Sequence, residues 1–235
     1  DKGGFPHFMI KEIFEQPEGL RERKKLRTRA NLISTAAELC QRQGYDNTTV
    51  EQIAAAAEVS PRTFSRYFPT KDAVVIAIVE DTAAYVAAEL SALPHGITEY
   101  EAMLRAHLVA LQPGPGGEQT PIFKRMAALI QIVNSSASLN VTAIPYREQK
   151  DRFPTVRAVA QRMGLSTDHD AVYLVLETWT VVMNTACYGL GTPGYPPIEP
   201  EIIAARIQAA YDQLVRTWQP WTTGAPEGEP PAGGT

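Results

Sequence analysis

Arg62, Thr63, Ser65 and Arg66 fall within five residues, in the run SPRTFSRYF. Two guanidiniums and two hydroxyls at this density form a donor and acceptor set suited to base edges and phosphate oxygens. The spacing tells which way they point. Phe64 and Phe68 lie four apart and share one helical face. At about 100° per residue, Arg62 and Arg66 fall on the opposite side, with Thr63 and Ser65 on the flanks. The aromatic pair is expected to anchor a short helix and the polar set to face a partner.

The neighbouring residues supply what such a helix needs. Ser60 is placed to cap it, and Pro61 takes its first turn, where a missing N–H costs nothing. Before it, Glu58-Val59-Ser60 reads as a tight turn with Val59 plugging the corner. A preceding helix is expected to start at a capping box of Thr48 and Glu51, with Ile53, Ala54 and Ala57 on its apolar face. Thr70 is expected to cap the helix that follows, whose first residues are Lys71 and Asp72. An ordinary helical hairpin with solvated arginines would explain any one of these signals. Their order, from cap through plugged turn and Ser-Pro start to aromatic closure, favours a helix-turn-helix. The segment RERKKLRTR, Arg21 to Arg29, stands just ahead of it.

From Thr48 to Val75 the chain resembles the DNA-binding domain of the tetracycline-repressor (TetR) family of bacterial regulators. The likeness is carried by the motif order and by Tyr67, Phe68 and Lys71, an aromatic pair followed by a short turn and a lysine. It is motif-specific over roughly residues 27–79. It implies phosphate contacts for Lys71, Tyr67 and Thr49 or Thr48, and groove contacts for Arg62, Thr63 and Arg66. It also implies double-stranded operator DNA, a small-molecule effector and a second copy of the chain as partners. Two positions depart from the family pattern. Glu58 stands where glycine is usual, and Ser65 where a tyrosine is common.

Charge is distributed as a local nucleic-acid contact requires. The chain of 235 residues carries −4 overall, yet residues 21–75 hold ten Lys/Arg against six Asp/Glu, which leaves −8 for the rest. Cys40 and Cys187 have no metal spacing and are expected to be small buried apolar residues in a reducing cytoplasm. No apolar run reaches membrane-spanning length. Asp1 to Phe8 precede Met9 and are expected to be a partial N-terminus or foreign to the native chain.

An all-α fold is expected, divided into an N-terminal extension (1–20), a helix-turn-helix domain (21–75), a larger helical domain (76–221) and a disordered tail (222–235). Helices are expected near Arg27–Gln43, Lys71–Leu93, Thr98–Leu111, Ile122–Asn134, Asp168–Leu190 and Pro200–Trp218. The first carries a stripe of Leu26, Ala30, Ile33, Ala37 and Cys40. An irregular helical stretch broken at Pro145 and Pro154 is expected to reach Met163. QPGPGGEQTP and GTPGYPPIEP read as loops. The helix from Asp168 is apolar on nearly all sides, so it must be covered on nearly all sides. With the Ile202, Ile203, Ile207, Ala210 and Leu214 stripe of the last helix it is expected to form a twofold, four-helix dimer contact.

Inside that apolar helix, Glu177, Thr180 and Asn184 form a polar line. Buried polar groups need partners, so they either satisfy one another or line a cavity with Trp179, Met183, Phe123 and Met126. The expected function is a DNA-binding regulator, a repressor released by a small, mostly apolar molecule. The alternatives are a ligand-independent architectural DNA-binding protein and an all-helical enzyme acting on a small hydrophobic substrate. His7, His95, His107 and His169 show no metal spacing or paired carboxylate, so neither cofactor nor catalysis is expected. His107 reads as structural or pocket-lining.

Overall fold

The computed structural model describes residues 8–136, 146–148 and 150–218, with side chains from residue 19 onward. Among these residues the chain forms nine α-helices and a 3-10 turn at Lys150–Arg152, with no strand. The helices are α1 Phe8–Gln43, α2 Val50–Ala56, α3 Pro61–Tyr67, α4 Lys71–Ala92, α5 Glu99–Ala110, α6 Pro121–Ser135, α7 Pro154–Met163, α8 Asp170–Cys187 and α9 Pro200–Trp218. Pro145, where a break was expected, and the tail 222–235 lie outside the described residues.

Residues α1 to α3 close around one buried cluster. Leu32, Ile33 and Cys40 of α1, Ile53 and Ala54 of α2, and Phe64 and Phe68 interlock, with the two phenyl rings 5.8 Å apart. Fully burying an aromatic such as Phe64 contributes about 1.5–3 kcal/mol. Ser60 caps α3 by accepting from the Thr63 amide, and Pro61 occupies the first turn. Glu58 holds the turn at φ 56°, a left-handed conformation that glycine adopts without the steric cost a Cβ brings.

A second cluster joins α4 to α9. α4 packs most extensively on α7, and α8 on α9. The two clusters meet in α4 and α6. Ala77 and Ile78 of α4, with Ala128 and Ile132 of α6, are buried in the first cluster, whereas Val79, Met126 and Ile130 are buried in the second. Packing is therefore shared across the boundary expected at Val75.

Three local expectations need correction. α1 begins at Phe8 rather than Arg27; directly ahead of Arg27, Leu20 to Leu26 are all Leu, Arg, Glu or Lys, good helix formers that carry the helix upstream. Leu26 and Ala30 are exposed, and the first buried side chains among the described residues of α1 are Leu32 and Ile33. The capping box of α2 is Thr49 with Gln52, one residue beyond the expected Thr48 and Glu51. On α8, Leu174 and Val181 remain 56% and 63% exposed, so one side of this apolar helix is uncovered among the described residues, the side for which the sequence called for a partner.

Candidate nucleic-acid interface and inner cavity

Helix α3 presents Arg62, Ser65 and Arg66 to solvent, opposite buried Phe64. The Arg66 guanidinium lies 5.5 Å from the centre of the half-buried Tyr67 ring, an approach that limits its rotamers before any partner arrives. Thr63 is half-buried, and its hydroxyl is within 2.9 Å of the Ser60 hydroxyl.

The threonine pair divides. Thr49 is exposed at the head of α2. Thr48 is only 1% exposed and donates its hydroxyl to the Gly44 carbonyl at 2.8 Å. A phosphate cannot reach it, so Thr48 leaves the set of contact residues. Lys71 is half-buried, and its ammonium donates to the carbonyls of Tyr45 at 2.7 Å and Thr48 at 2.8 Å, over the Tyr45 ring. Two of its three N–H donors thus brace the α1–α2 connection, and the third is what remains for a phosphate. The phenol of Tyr45 donates to Asp72, and burial with that carboxylate pushes the phenol pKa up.

Arg29 is also diverted from the basic segment. Its guanidinium pairs with Glu80 at 3.7 Å and Asp81 at 3.6 Å on α4, and sits over the Phe68 ring. Asp81 meets Arg125 of α6 at 3.4 Å, and Glu80 meets Arg152 at 2.5 Å. Arg21, Arg23, Lys24, Lys25 and Arg27 stay exposed.

Inside the second cluster lies a cavity of about 250 Å³. Val79, Thr82 and Ala83 of α4, Met103 and His107 of α5, and Met126 and Asn134 of α6 form part of its wall. Tyr146, Thr155 and Trp179, Thr180, Met183 and Asn184 of α8 complete the side toward α7 and α8. Two expected lining residues fall elsewhere. Phe123 is buried but lines an outer groove beside Glu38 and Gln41 of α1, and Glu177 is exposed and outside the cavity wall. The polar line on α8 enters the wall through Thr180 and Asn184, because a carboxylate without a cation is far cheaper in water.

The sequence pointed only weakly at His107. It is buried, its Nδ1–H donates to the Met103 carbonyl at 2.8 Å, and its Nε2 accepts from Trp179 at 3.4 Å. Burial pushes its pKa down to about 4, so the imidazole is neutral at pH 7 in a single tautomer. The partner that fixes this role lies 72 residues away in the chain. Cys187 also lines the cavity, and burial pushes its thiol up to about 11, which leaves little reactive thiolate. No helix among the described residues is long and apolar enough to cross a membrane.

A capped helix-turn-helix joined through shared helices to a hollow helical core defines a DNA-binding regulator. Residues 32–78 match the family described as bacterial regulatory proteins, tetR family. The chain is 35% identical over 153 residues to the HTH-type transcriptional regulator TcmR of Streptomyces glaucescens, covering 65% of this chain and 67% of TcmR. Among solved structures it is similar to Thermus thermophilus FadR, a TetR-family transcriptional repressor in complex with lauroyl-CoA. That likeness has a TM-score of 0.49 at 21% identity, over 88% of this chain and 100% of that one. CprB of S. coelicolor A3(2), a TetR-family protein, aligns with a TM-score of 0.41 at 22% identity, over 81% of this chain and 87% of that one. The chain belongs to the tetR family and is a DNA-binding transcriptional regulator.

Proposed function

We propose that this regulator is a homodimeric repressor of the bacterial cytoplasm, released from operator DNA when a small, mostly apolar molecule enters the inner cavity. Residues 21–75 serve as the DNA-binding module and 76–221 as the effector and dimer module. Arg62, Ser65 and Arg66 read the groove, Thr63 supports them, and Thr49, Tyr67 and the third N–H of Lys71 meet phosphates. Met126, Trp179, Thr180, Met183 and Asn184 hold the effector.

One turn of α4 carries this reading. Val79, Thr82 and Ala83 face the cavity, while Glu80 and Asp81, between them in sequence, pair with Arg29 of α1, Arg125 of α6 and Arg152. A molecule pressing on the inner side of that turn moves the carboxylates on its outer side, and with them α1 and the reading helix. The shift needs differential affinity. Moving a population from 1:99 to 99:1 takes roughly 10⁴-fold tighter binding to the released form. The exposed Leu174 and Val181, seven residues apart along α8, support a second copy as the cover for that side.

Operator release is the test. With a site selected from a random DNA pool, the wild-type complex dissociates with members of a panel of small uncharged phenols, alcohols and ethers. Thr180→Trp, which fills the cavity, binds the same DNA and does not respond. A wild-type protein that never leaves its DNA under any of them returns the architectural alternative.

A further inference from the structure

The basic run ahead of the helix-turn-helix takes no part in the packing of the reading head. From Arg21 to Asn31 of α1 no side chain is fully buried, and Arg21, Arg23, Lys24, Lys25 and Arg27 are all exposed. At 1.5 Å per residue, Arg21 stands about 16 Å beyond Leu32 along the helix. Lys25 lies 3.7 Å from Glu22, and Arg23 donates to the Gly19 carbonyl at 3.2 Å. Arg21, Lys24 and Arg27 have no ion-pair partner among the described residues. Further upstream the charge reverses, with Glu12, Glu15 and Glu18 against Lys11.

Two contacts fix where this stretch leaves the head. Asn31 donates its side-chain amide to the carbonyl of Ala57, at the end of α2, at 3.2 Å. The Arg29 guanidinium lies 5.6 Å from the centre of the ring of Phe68, at the end of α3. At about 100° per residue, Arg21 and Arg27 fall about 60° to either side of Lys24, and Asn31 about 20° from it. Glu22 and Leu26 fall about 160° away. The three cations therefore share the face that Asn31 turns toward the helix-turn-helix, and no described carboxylate shares it with them. They span about 9 Å of helix, a length over which B-DNA presents about five phosphate charges. We propose that Arg21, Lys24 and Arg27 form a second DNA contact, a helical rail that follows the phosphate backbone beside the bases read by α3. It rests on α3 being the reading helix. Such a contact adds affinity without sequence preference, because phosphates carry no base information.

The salt dependence of operator binding tests this, with the full chain and a duplex that has long flanks around the selected site. Arg21→Gln, Lys24→Gln and Arg27→Gln are made together, since glutamine keeps the helix propensity of the residues it replaces. The slope of log affinity against log salt should fall by about 0.9 for each lost phosphate, about 2.7 for each chain bound. Affinity at roughly 0.1 M salt should fall about ten-fold or more, with the ranking of variant operators unchanged. Arg105→Gln, Arg157→Gln and Arg216→Gln together remove the same charge from α5, α7 and α9 and should keep the wild-type slope. Arg21→Lys with Arg27→Lys should keep it too, because a phosphate accepts either cation. Single glutamine variants, each expected to take about 0.9 off the slope, carry the test should the triple fail to fold. The proposal is overturned if the rail variants leave the slope unaltered, if the three distant substitutions lower it as much, if the lysine pair lowers it, or if the operator ranking changes. Arg66→Ala reports separately on the reading helix. Unchanged DNA binding there, with a lowered slope in the rail variant, keeps this contact and removes the role given to α3. Relaxed preference there, with an unaltered slope in the rail variant, does the reverse.

Discussion

Arg66 and Lys71 are both cations near the reading helix, yet their surroundings set them different tasks. Arg66 is exposed and stacked beside Tyr67, so its truncation to alanine should leave stability nearly unchanged. If it contacts a base, that change costs about 1–3 kcal/mol of binding and relaxes preference at one position, as a binding series on variant operators would show. Lys71 braces two carbonyls, so Lys71→Ala should lower unfolding free energy by about 2 kcal/mol in urea titrations, besides weakening all DNA sequences alike. His107 gives the fold a pH dependence. Its native pKa of about 4 lies below the ordinary value near 6.5, so the unfolded chain takes up its proton first as pH falls. Its contribution is complete above about pH 6.5 and is lost progressively toward pH 4, about 3 kcal/mol in all. Urea unfolding at pH 7 and 4.5 should show most of that fall, and His107→Gln should remove it.

Helices whose signals are local were legible in the sequence, and those settled by distant contacts were not. Ser60, Pro61, Phe64 and Phe68 fix α3 within one short run, and Pro200 begins α9 where the loop residues end. Thr48 and Thr49 are adjacent threonines with Glu51 and Gln52 three residues on, so local chemistry permits either cap. The choice is made by Gly44, which takes the Thr48 hydroxyl, and by Lys71, which takes its carbonyl. Spacing grouped Glu177 with Thr180 and Asn184, but spacing does not say how far a flank turns outward. The same limit applies to α9. Ile207 reads as a residue available to a partner, yet it is 0% exposed within its own chain. Ile207→Lys should therefore unfold the protomer, because it buries an unpaired ammonium. Val181→Glu is the substitution suited to the dimer. Its melting should match a folded monomer, sedimentation should give a single copy, and operator affinity should fall on the order of 100-fold once two half-sites no longer act together.

At the scale of the whole molecule, the Glu80 and Asp81 pair on α4 is where the reading head, the cavity wall and α6 meet. These ion pairs are partly exposed, so each contributes little to stability, about 0–1 kcal/mol. Their role is to hold position. Asp81→Asn should change unfolding free energy by less than about 1 kcal/mol. It should nonetheless weaken operator binding, leave the preferred DNA sequence unaltered and blunt the difference between effector-bound and effector-free protein in a titration. A change in preferred sequence would place Asp81 in base reading instead. The shared packing beneath this pair bears on modularity. Ala128 and Ile132 reach from α6 into the cluster that supports Phe64 and Phe68, so the reading head borrows part of its core from the sensing half. A graft of this head onto another regulator's body inherits that debt. Such a hybrid keeps its DNA specificity only if the new body presents equally small and well-fitted side chains at those two places.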